Sequence, residues 1–301
     1  MGRLRLLAAI ASAVVLAGPV AAAAGVSPVA FLGSRQQPNG GFAEPGRAAD
    51  PGLTAWAVLA LVAAGSRPDG ASAYLAGKPY PTTTDLALRV LALDALGSDV
   101  SALANQLAAL QGPDGRIGAQ INSTIWALIA LRQTGRPTPR GTVAFLRSHQ
   151  TRAGGWSWGI GVAPDSNDTA AAIEALRAAG MPTTARPIRR GLAYLQTLRN
   201  PDGGFELSPG RGSDAQSTAW AIQAELAAAA KPPQSAFAYL AKLRRADGSF
   251  RYSAHFATTP VWVTSQVVPA LLRRSFPLRL PRVRRTFAPT IDPWRARGAG
   301  R

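Results

Sequence analysis

The chain has 301 residues, no cysteine and only two histidines, and its formal net charge is +17 at pH 7. The absence of cysteine excludes disulfide bonds and thiolate ligands, and two histidines supply too few nitrogen ligands for a typical zinc site. A calcium site built from carboxylates alone stays open, but the sequence predicts no bound metal and no other cofactor.

The first 24 residues have the features of a secretory signal peptide. Arg3 and Arg5 precede an apolar run over residues 6–16, and a Gly18-Pro19 break leads to an alanine-rich end. The apolar run is shorter than the ~17–25 residues that span a bilayer. We expect residues 1–24 to be cleaved and the protein to be secreted or extracytoplasmic; an uncleaved N-terminal anchor is the alternative.

A pair of helices is repeated along residues 25–274. The second helix of each pair is marked by a leucine followed four residues later by glycine, at Leu61/Gly65, Leu93/Gly97, Leu131/Gly135 and Leu176/Gly180. Leu226 and Leu271 close the fifth and sixth pairs less regularly. A threonine precedes the leucine by seven or eight residues in five pairs, at Thr54, Thr124, Thr169, Thr218 and Thr264. These helices are predicted to begin at a hydroxyl or carboxylate cap and mostly to end at glycine.

The first helix of each pair ends in a glycine-containing turn. A bulky residue follows the turn in five pairs, at Phe42, Ile117, Trp156, Phe205 and Phe250, and only the second pair, around residues 73–80, lacks the turn. An open array of such pairs needs polar terminal helices, and neither end has one. We therefore predict an all-α fold, an α6/α6 toroid of twelve helices at residues 25–274, with the alanine-rich second helices forming the inner ring.

Residues 275–301 are predicted to be a basic, proline- and arginine-rich tail that is poorly ordered. Arg273–Arg301 contains nine arginines and one acid, Asp292. Such a tail can lie on an anionic envelope surface, where each basic residue contributes ~1 kcal/mol, or it can be a solvated arm. Nucleic acid is not an expected partner of an exported protein.

Two glutamine-aromatic spacings resemble a known repeat. Gln36-x5-Phe42 and Gln150-x5-Trp156 are similar to the QW-type repeats of the terpenoid cyclase and protein prenyltransferase superfamily, also called prenyltransferase/squalene oxidase repeats. Gln111 keeps the glutamine before Ile117, whereas Arg199 and Arg244 replace it in the later pairs. The resemblance covers Val29–Arg274 and implies the toroid fold more than an activity.

The activities of that superfamily depend on residues that this chain has changed. The cyclases have an Asp-x-Asp-Asp-Thr-Ala motif whose middle aspartate protonates the substrate, and the matching segment here, Asp165–Ala170, has Asn167 at that place. An amide has no acidic proton to give an alkene. The prenyltransferases hold zinc with Asp, Cys and His, and cysteine is absent. The resemblance therefore favours a protein that is not an enzyme.

An aspartate stands four residues before the threonine in three pairs, as Asp50, Asp165 and Asp214, which predicts helix capping. The first-helix turns should share one rim of the ring with the starts of the second helices. We expect that rim to bind a ligand through Trp156, Trp158, Asp165, Asp168, Phe205, Asp214 and His255. Trp158 is the leading candidate because it lies in a glycine-rich loop and has no counterpart in the other repeats. Trp56, Trp126 and Trp220 are predicted to pack between neighbouring hairpins.

The leading functional hypothesis is a secreted, non-catalytic module that binds a small hydrophobic or amphipathic ligand or an envelope component. Resembling toroids occur in cobalamin carriers, so a corrinoid is one candidate ligand, with a separate partner protein completing the site. One alternative is a divergent terpenoid cyclase acting on an isoprenoid through Asp165 and Asp168. Others are a polymer hydrolase or lyase, with Asp165 and Asp214 as a carboxylate pair, and a structural envelope protein held by its tail.

Overall fold

The computed structural model describes residues 26–278. The predicted signal peptide and residues 279–301 of the predicted tail lie outside this range. The outer helices are α1 (Pro28–Gly33), α3 (Ala71–Ala76), α5 (Ser101–Ala109), α7 (Thr142–Ser148), α9 (Arg186–Thr197) and α11 (Gln234–Leu243). The inner helices are α2 (Pro51–Ala63), α4 (Thr83–Leu96), α6 (Ile121–Gln133), α8 (Ser166–Ala178), α10 (Ala215–Ala227) and α12 (Pro260–Leu271). Strands β1 (Phe205–Glu206) and β2 (Ser213–Asp214) form a short antiparallel hairpin ahead of α10.

The inner helices form a closed ring. Each packs against the next in chain order, and α12 packs against α2. The odd-numbered helices lie outside this ring, against the inner helices. Twelve helices in the described range and this closure confirm the predicted toroid. No helix in residues 26–278 is long and apolar enough to cross a membrane.

The burial of each helix agrees with its place in the ring. On α2, every residue from Leu53 to Ala63 is buried. On α9, only one stripe is buried, which includes Ile188, Tyr194 and Leu195, and Arg186 and Arg189 are exposed. A helix that is apolar all round needs neighbours on every side, and an amphipathic helix needs them on one. The alanine-rich sequences are therefore inside, as predicted.

Aspartate caps three of the six inner helices, and the repeated threonine has a different role. The Asp50, Asp165 and Asp214 side chains each accept a hydrogen bond from the backbone N–H three residues later. The threonine lies inside the first turn, where its Oγ1 accepts a hydrogen bond from the bulky residue that follows the outer-helix turn. The donor–acceptor pairs are Phe42–Thr54, Ile117–Thr124, Trp156–Thr169, Phe205–Thr218 and Phe250–Thr264, at 2.8–3.0 Å. Threonine therefore ties the two helices of one hairpin together and is not the cap that its position indicated.

The glutamine of the repeated motif joins one hairpin to the next. Gln36 Nε2 donates to the Asp69 carbonyl at 2.7 Å, just before the next outer helix. Gln111 and Gln150 make the equivalent bonds to Arg140 and Pro187, and Arg199 donates to Ser235 Oγ. Arginine thus preserves the link where it replaces glutamine. The turn glycines allow this approach: at Gly115, whose φ is +87°, a Cβ would lie 2.5 Å from the backbone of Gly141.

Two polar contacts join the last hairpin to the first. Arg244 donates to the Val26 carbonyl at 3.0 Å, which continues the hairpin-to-hairpin link around the ring. The Glu44 carboxylate accepts the backbone N–H groups of Val261 and Trp262 at 3.0 and 2.8 Å. Glu44, from the first hairpin, therefore caps α12, which begins without a side-chain cap of its own.

We predict that Glu44→Ala lowers the free energy of unfolding by about 1–2 kcal/mol, because two N–H groups at the start of α12 lose a charged acceptor. Glu44→Gln should cost less, since its amide oxygen still accepts one of these bonds. Urea unfolding followed by circular dichroism measures both. If the alanine variant is as stable as the native chain, this cap contributes nothing to ring closure.

Candidate functional site

A cavity of about 760 Å³ lies at the end of the ring where the inner helices begin. Residues at or just before the start of five inner helices supply its polar rim: Asp50, Thr84, Asn122, Asn167, Asp168 and Gln216. Residues about one turn further along supply its apolar walls, namely Ala55, Trp56, Leu88, Trp126, Ala171 and Trp220, and Trp262 joins them from the first turn of α12. Because the inner helices run in the same direction, the cavity is polar at its rim and aromatic inside.

Three tryptophans meet around the ring axis. The ring centroids of Trp56 and Trp126 are 5.2 Å apart, and Trp220 lies 5.8 Å from Trp56 and 5.6 Å from Trp126, all in edge-to-face arrangements. Trp262 adds a fourth ring, 6.0 Å from Trp56. Such pairs add ~0.5–1.5 kcal/mol beyond burial, and together they form an aromatic wall suited to a ligand with an apolar face.

Phe276 closes the far side of the aromatic cluster. Its ring stacks on Trp220 at 5.7 Å and lies 5.4 Å from Trp126 and 6.0 Å from Trp56. Phe276 and Leu278 are only 4% and 2% exposed. The predicted boundary at residue 274 is therefore too early. Residues 275–278 return to the ring because the apolar side chains of Phe276 and Leu278 are buried there.

The carboxyl of Glu174 is buried close to the backbone of Phe276. The side chain comes from α8, is fully buried, and neither carboxyl oxygen has a hydrogen-bond partner. Burial raises the pKa of Glu174 well above its ordinary value, and the nearby backbone N–H of Phe276 opposes the shift. The buried Glu174 carboxyl therefore retains its proton more readily than an exposed glutamate.

A hydrogen-bonded chain crosses the rim from α4 to α8. Thr84 Oγ1 donates to Asn122 Oδ1 at 3.1 Å, and Asn122 Nδ2 donates to Asp168 Oδ1 at 2.6 Å. Burial and the neighbouring Asp165 carboxylate raise the pKa of Asp168 well above its ordinary value, although the bond from Asn122 opposes the shift. Asp168 thus presents a carboxyl that retains its proton more readily than an exposed aspartate.

Two segments that differ from the repeat lie at the mouth. Residues 77–82, in the hairpin without the usual turn, are held by Arg89, which donates to the carbonyls of Ala76 and Lys78 and stacks over Tyr80. The second segment contains Trp158, which is 55% exposed and whose carbonyl accepts the Asn122 N–H. Departures from the repeat are therefore concentrated where a ligand would enter.

Of the seven predicted ligand-binding residues, the structure places two in the cavity lining and five elsewhere. Asp168 and Trp158 line the cavity. Trp156 and Phe205 are 0% exposed, and Trp156 Nε1 donates to the Leu146 carbonyl, so both rings belong to the core and are withdrawn as ligand contacts. They are buried because the threonine bond draws each bulky residue under the start of its inner helix.

The remaining predicted residues are not in the cavity lining. Asp165 and Asp214 are helix caps; the Asp214 carboxylate accepts from both the N–H and the hydroxyl of Ser217. Each carboxylate therefore holds the start of its own helix, and neither is among the residues that line the cavity. His255 lies exposed in the loop before α12. Residues 26–278 contain no group of three or more histidine, aspartate and glutamate side chains placed to hold a metal.

Sequence reasoning missed the main aromatic wall. Trp56, Trp126 and Trp220 were predicted to pack between hairpins, but they converge on the axis and line the cavity. All three follow the repeated threonine by two residues, and in a closed ring this shared position indicates that they lie at the same level. Trp262 and Phe276 are outside that column, and no sequence pattern indicated them.

The closed ring of six hairpins around an aromatic cavity defines a terpenoid cyclase and prenyltransferase-like toroid. A family model described as the squalene-hopene cyclase C-terminal domain matches residues 103–278, more than half of the chain. The chain belongs to this family.

Solved structures with the same fold are distant in sequence. The type II terpene cyclase MstE from Scytonema, without ligand, is 19% identical with a TM-score of 0.64, covering 82% of this chain and 95% of its own. A protein from Actinoplanes is 17% identical with a TM-score of 0.64, covering 82% and 97%. A wild-type glycosidase is 11% identical with a TM-score of 0.59, covering 82% and 94%. No curated protein matches. At these identities the structures establish the fold alone.

We predict that Phe276→Ala lowers the free energy of unfolding by about 3–5 kcal/mol, because it removes a buried ring that contacts three tryptophans. Phe256→Ala is the matched control: Phe256 is 60% exposed, so its removal should change stability by less than about 0.5 kcal/mol. Denaturant unfolding measures the two variants side by side. Equal stabilities would mean that Phe276 does not form the floor.

Proposed function

We propose that the protein binds a small, largely apolar ligand in the ring cavity and does not transform it. The observation that carries this proposal is the set of four tryptophans around a 760 Å³ cavity whose rim is polar. Cavities of about 300–1,000 Å³ with apolar walls and a few polar groups are typical of small-molecule sites. The rim can orient a polar group of the ligand while the tryptophans enclose its apolar part.

The absence of the acid expected in a cyclase supports binding without chemistry. Asn167 lines the cavity at the place of the proton-donating aspartate, and Asp165 is occupied as a helix cap. A corrinoid is compatible with this proposal only if it projects from the mouth, where a separate partner protein would cover it. The cavity size favours a smaller molecule.

We also propose that the protein acts outside the cytoplasm, with its basic tail against an anionic envelope surface. This proposal depends on residues 1–24 and 279–301, which lie outside the described range. Fractionation of the producing cells checks it: we expect the mature chain, without residues 1–24, in the envelope or the medium. A full-length chain confined to the cytoplasm would contradict it.

Binding is tested with the full chain purified from its producing cells. Native mass spectrometry should show a small molecule that leaves on denaturation. The neutral fluorophore N-phenyl-1-naphthylamine should then bind once per chain after the ligand is removed. Ala171→Phe, which fills the cavity from α8, should weaken this binding at least tenfold, whereas Ala102→Phe on the exposed face of α5 should not. Equal binding by the two variants would place the fluorophore outside the ring.

An acid-initiated cyclase is the second candidate because Asp168 is a buried carboxyl at the cavity. In such a reaction the Asp168 proton would pass to an alkene carbon, and the tryptophan faces would stabilise the resulting cation. The activity would fall as pH rises through the raised pKa of Asp168, because the protonated form would be lost.

Incubation with geranylgeraniol, followed by gas chromatography and mass spectrometry, separates the two candidates. The binding proposal predicts no cyclic product from the native chain. Product formation that Asp168→Asn abolishes would instead establish the cyclase, since this variant keeps the oxygen that accepts from Asn122. If only the Asn167→Asp variant forms product, the native chain lacks cyclase activity because Asn167 replaces the acid.

A further inference from the structure

Two hydrogen-bond donors in the cavity wall have no partner. Trp56 Nε1 and Gln266 Nε2 are both buried and unbonded, on side chains that are 6% and 2% exposed. Both side chains line the cavity, Trp56 from α2 and Gln266 from α12. An unsatisfied buried donor costs about 1–3 kcal/mol, so an acceptor at this place would be stabilised.

The orientation of the Gln266 amide follows from its neighbour. Trp220 Nε1 donates to Gln266 Oε1 at 2.8 Å. An indole nitrogen can only donate, so the oxygen of the amide must face Trp220 and its NH2 group must be the free end. The unbonded groups on these two lining side chains are therefore donors and not acceptors.

The two donors lie on adjacent inner helices, because α12 packs against α2 where the ring closes. Trp220 connects them, because it is hydrogen-bonded to Gln266 and its ring lies 5.8 Å from that of Trp56. The cationic side chains of the lining, Lys78 and Arg89, belong to the mouth segment and its support. A ligand anion among the tryptophans would thus lack a countercharge, and a hydroxyl group would bring a donor of its own.

We propose that the ligand carries an uncharged carbonyl oxygen on an apolar body, as in a ketone, ester or amide, and that this oxygen accepts from Trp56 Nε1 and Gln266 Nε2. A carbonyl oxygen has two lone pairs and no proton, which matches two donors without an added charge. The inference rests on the proposed binding function and specifies the class of ligand that the cavity selects.

A matched pair of probes tests it: 1-tetralone has a ketone that tetralin lacks. Isothermal titration calorimetry on the full chain should give about tenfold tighter binding of 1-tetralone, the gain expected from one or two net hydrogen bonds. Trp56→Phe, which keeps an aromatic ring but removes the N–H, should reduce that preference, since only the Gln266 donor is left. Ala102→Phe, on the exposed face of α5 and outside the cavity, is the control and should keep the preference.

The indole N–H signals provide a readout that a purely structural role would not change. In 1H–15N spectra, 1-tetralone should move the Trp56 indole signal downfield while the Trp220 signal, already hydrogen-bonded, stays within the range seen with tetralin. Equal affinity for the two probes, or an unchanged ketone preference in Trp56→Phe, would overturn the inference while leaving cavity binding intact. Failure of both probes to bind the native chain would remove the proposed function and this inference together.

Discussion

The packing of α12 against α2 is the contact on which the rest of this structure depends. The inner helices are apolar on nearly every side, so a single hairpin, or an open row of hairpins, would leave an inner helix exposed at each end. Closure gives every inner helix two inner neighbours. Small alanine side chains permit this crowding, and Glu44 and Arg244 add polar links across the seam.

Closure also creates the cavity and decides its chemistry. Inner helices that run in one direction bring their polar starts to one rim and their tryptophans to one level below it. The ring would be open at the far side of this cluster, but Phe276 packs against three of the tryptophans there. The site is therefore a pocket with a floor, which suits the retention of a ligand better than its passage.

The segment Asp165–Ala170 shows how a sequence motif can serve the fold and the site at once. Asp165 caps α8, and Thr169 holds Trp156 beneath it, so both residues are explained by structure. Asn167 and Asp168 instead line the cavity, where Asp168 is hydrogen-bonded to Asn122. The resemblance to a catalytic motif therefore reduces to two residues, of which one is an amide and the other a buried acid.

The sequence by itself determined the hairpin unit, its sixfold repetition, the aspartate caps and the inner position of the alanine-rich helices. These features depend on contacts between residues close along the chain, or on the apolar character of whole helices, and spacing records both. Only the tertiary structure decided that Trp56, Trp126 and Trp220 converge, that Trp262 and Gln266 join them, and that Phe276 returns beneath them. It also places Trp156 and Phe205 in the core, away from the cavity. The direction of a side chain relative to the ring axis depends on how all six hairpins close, so the shared position two residues after the threonine does not by itself show that Trp56, Trp126 and Trp220 meet.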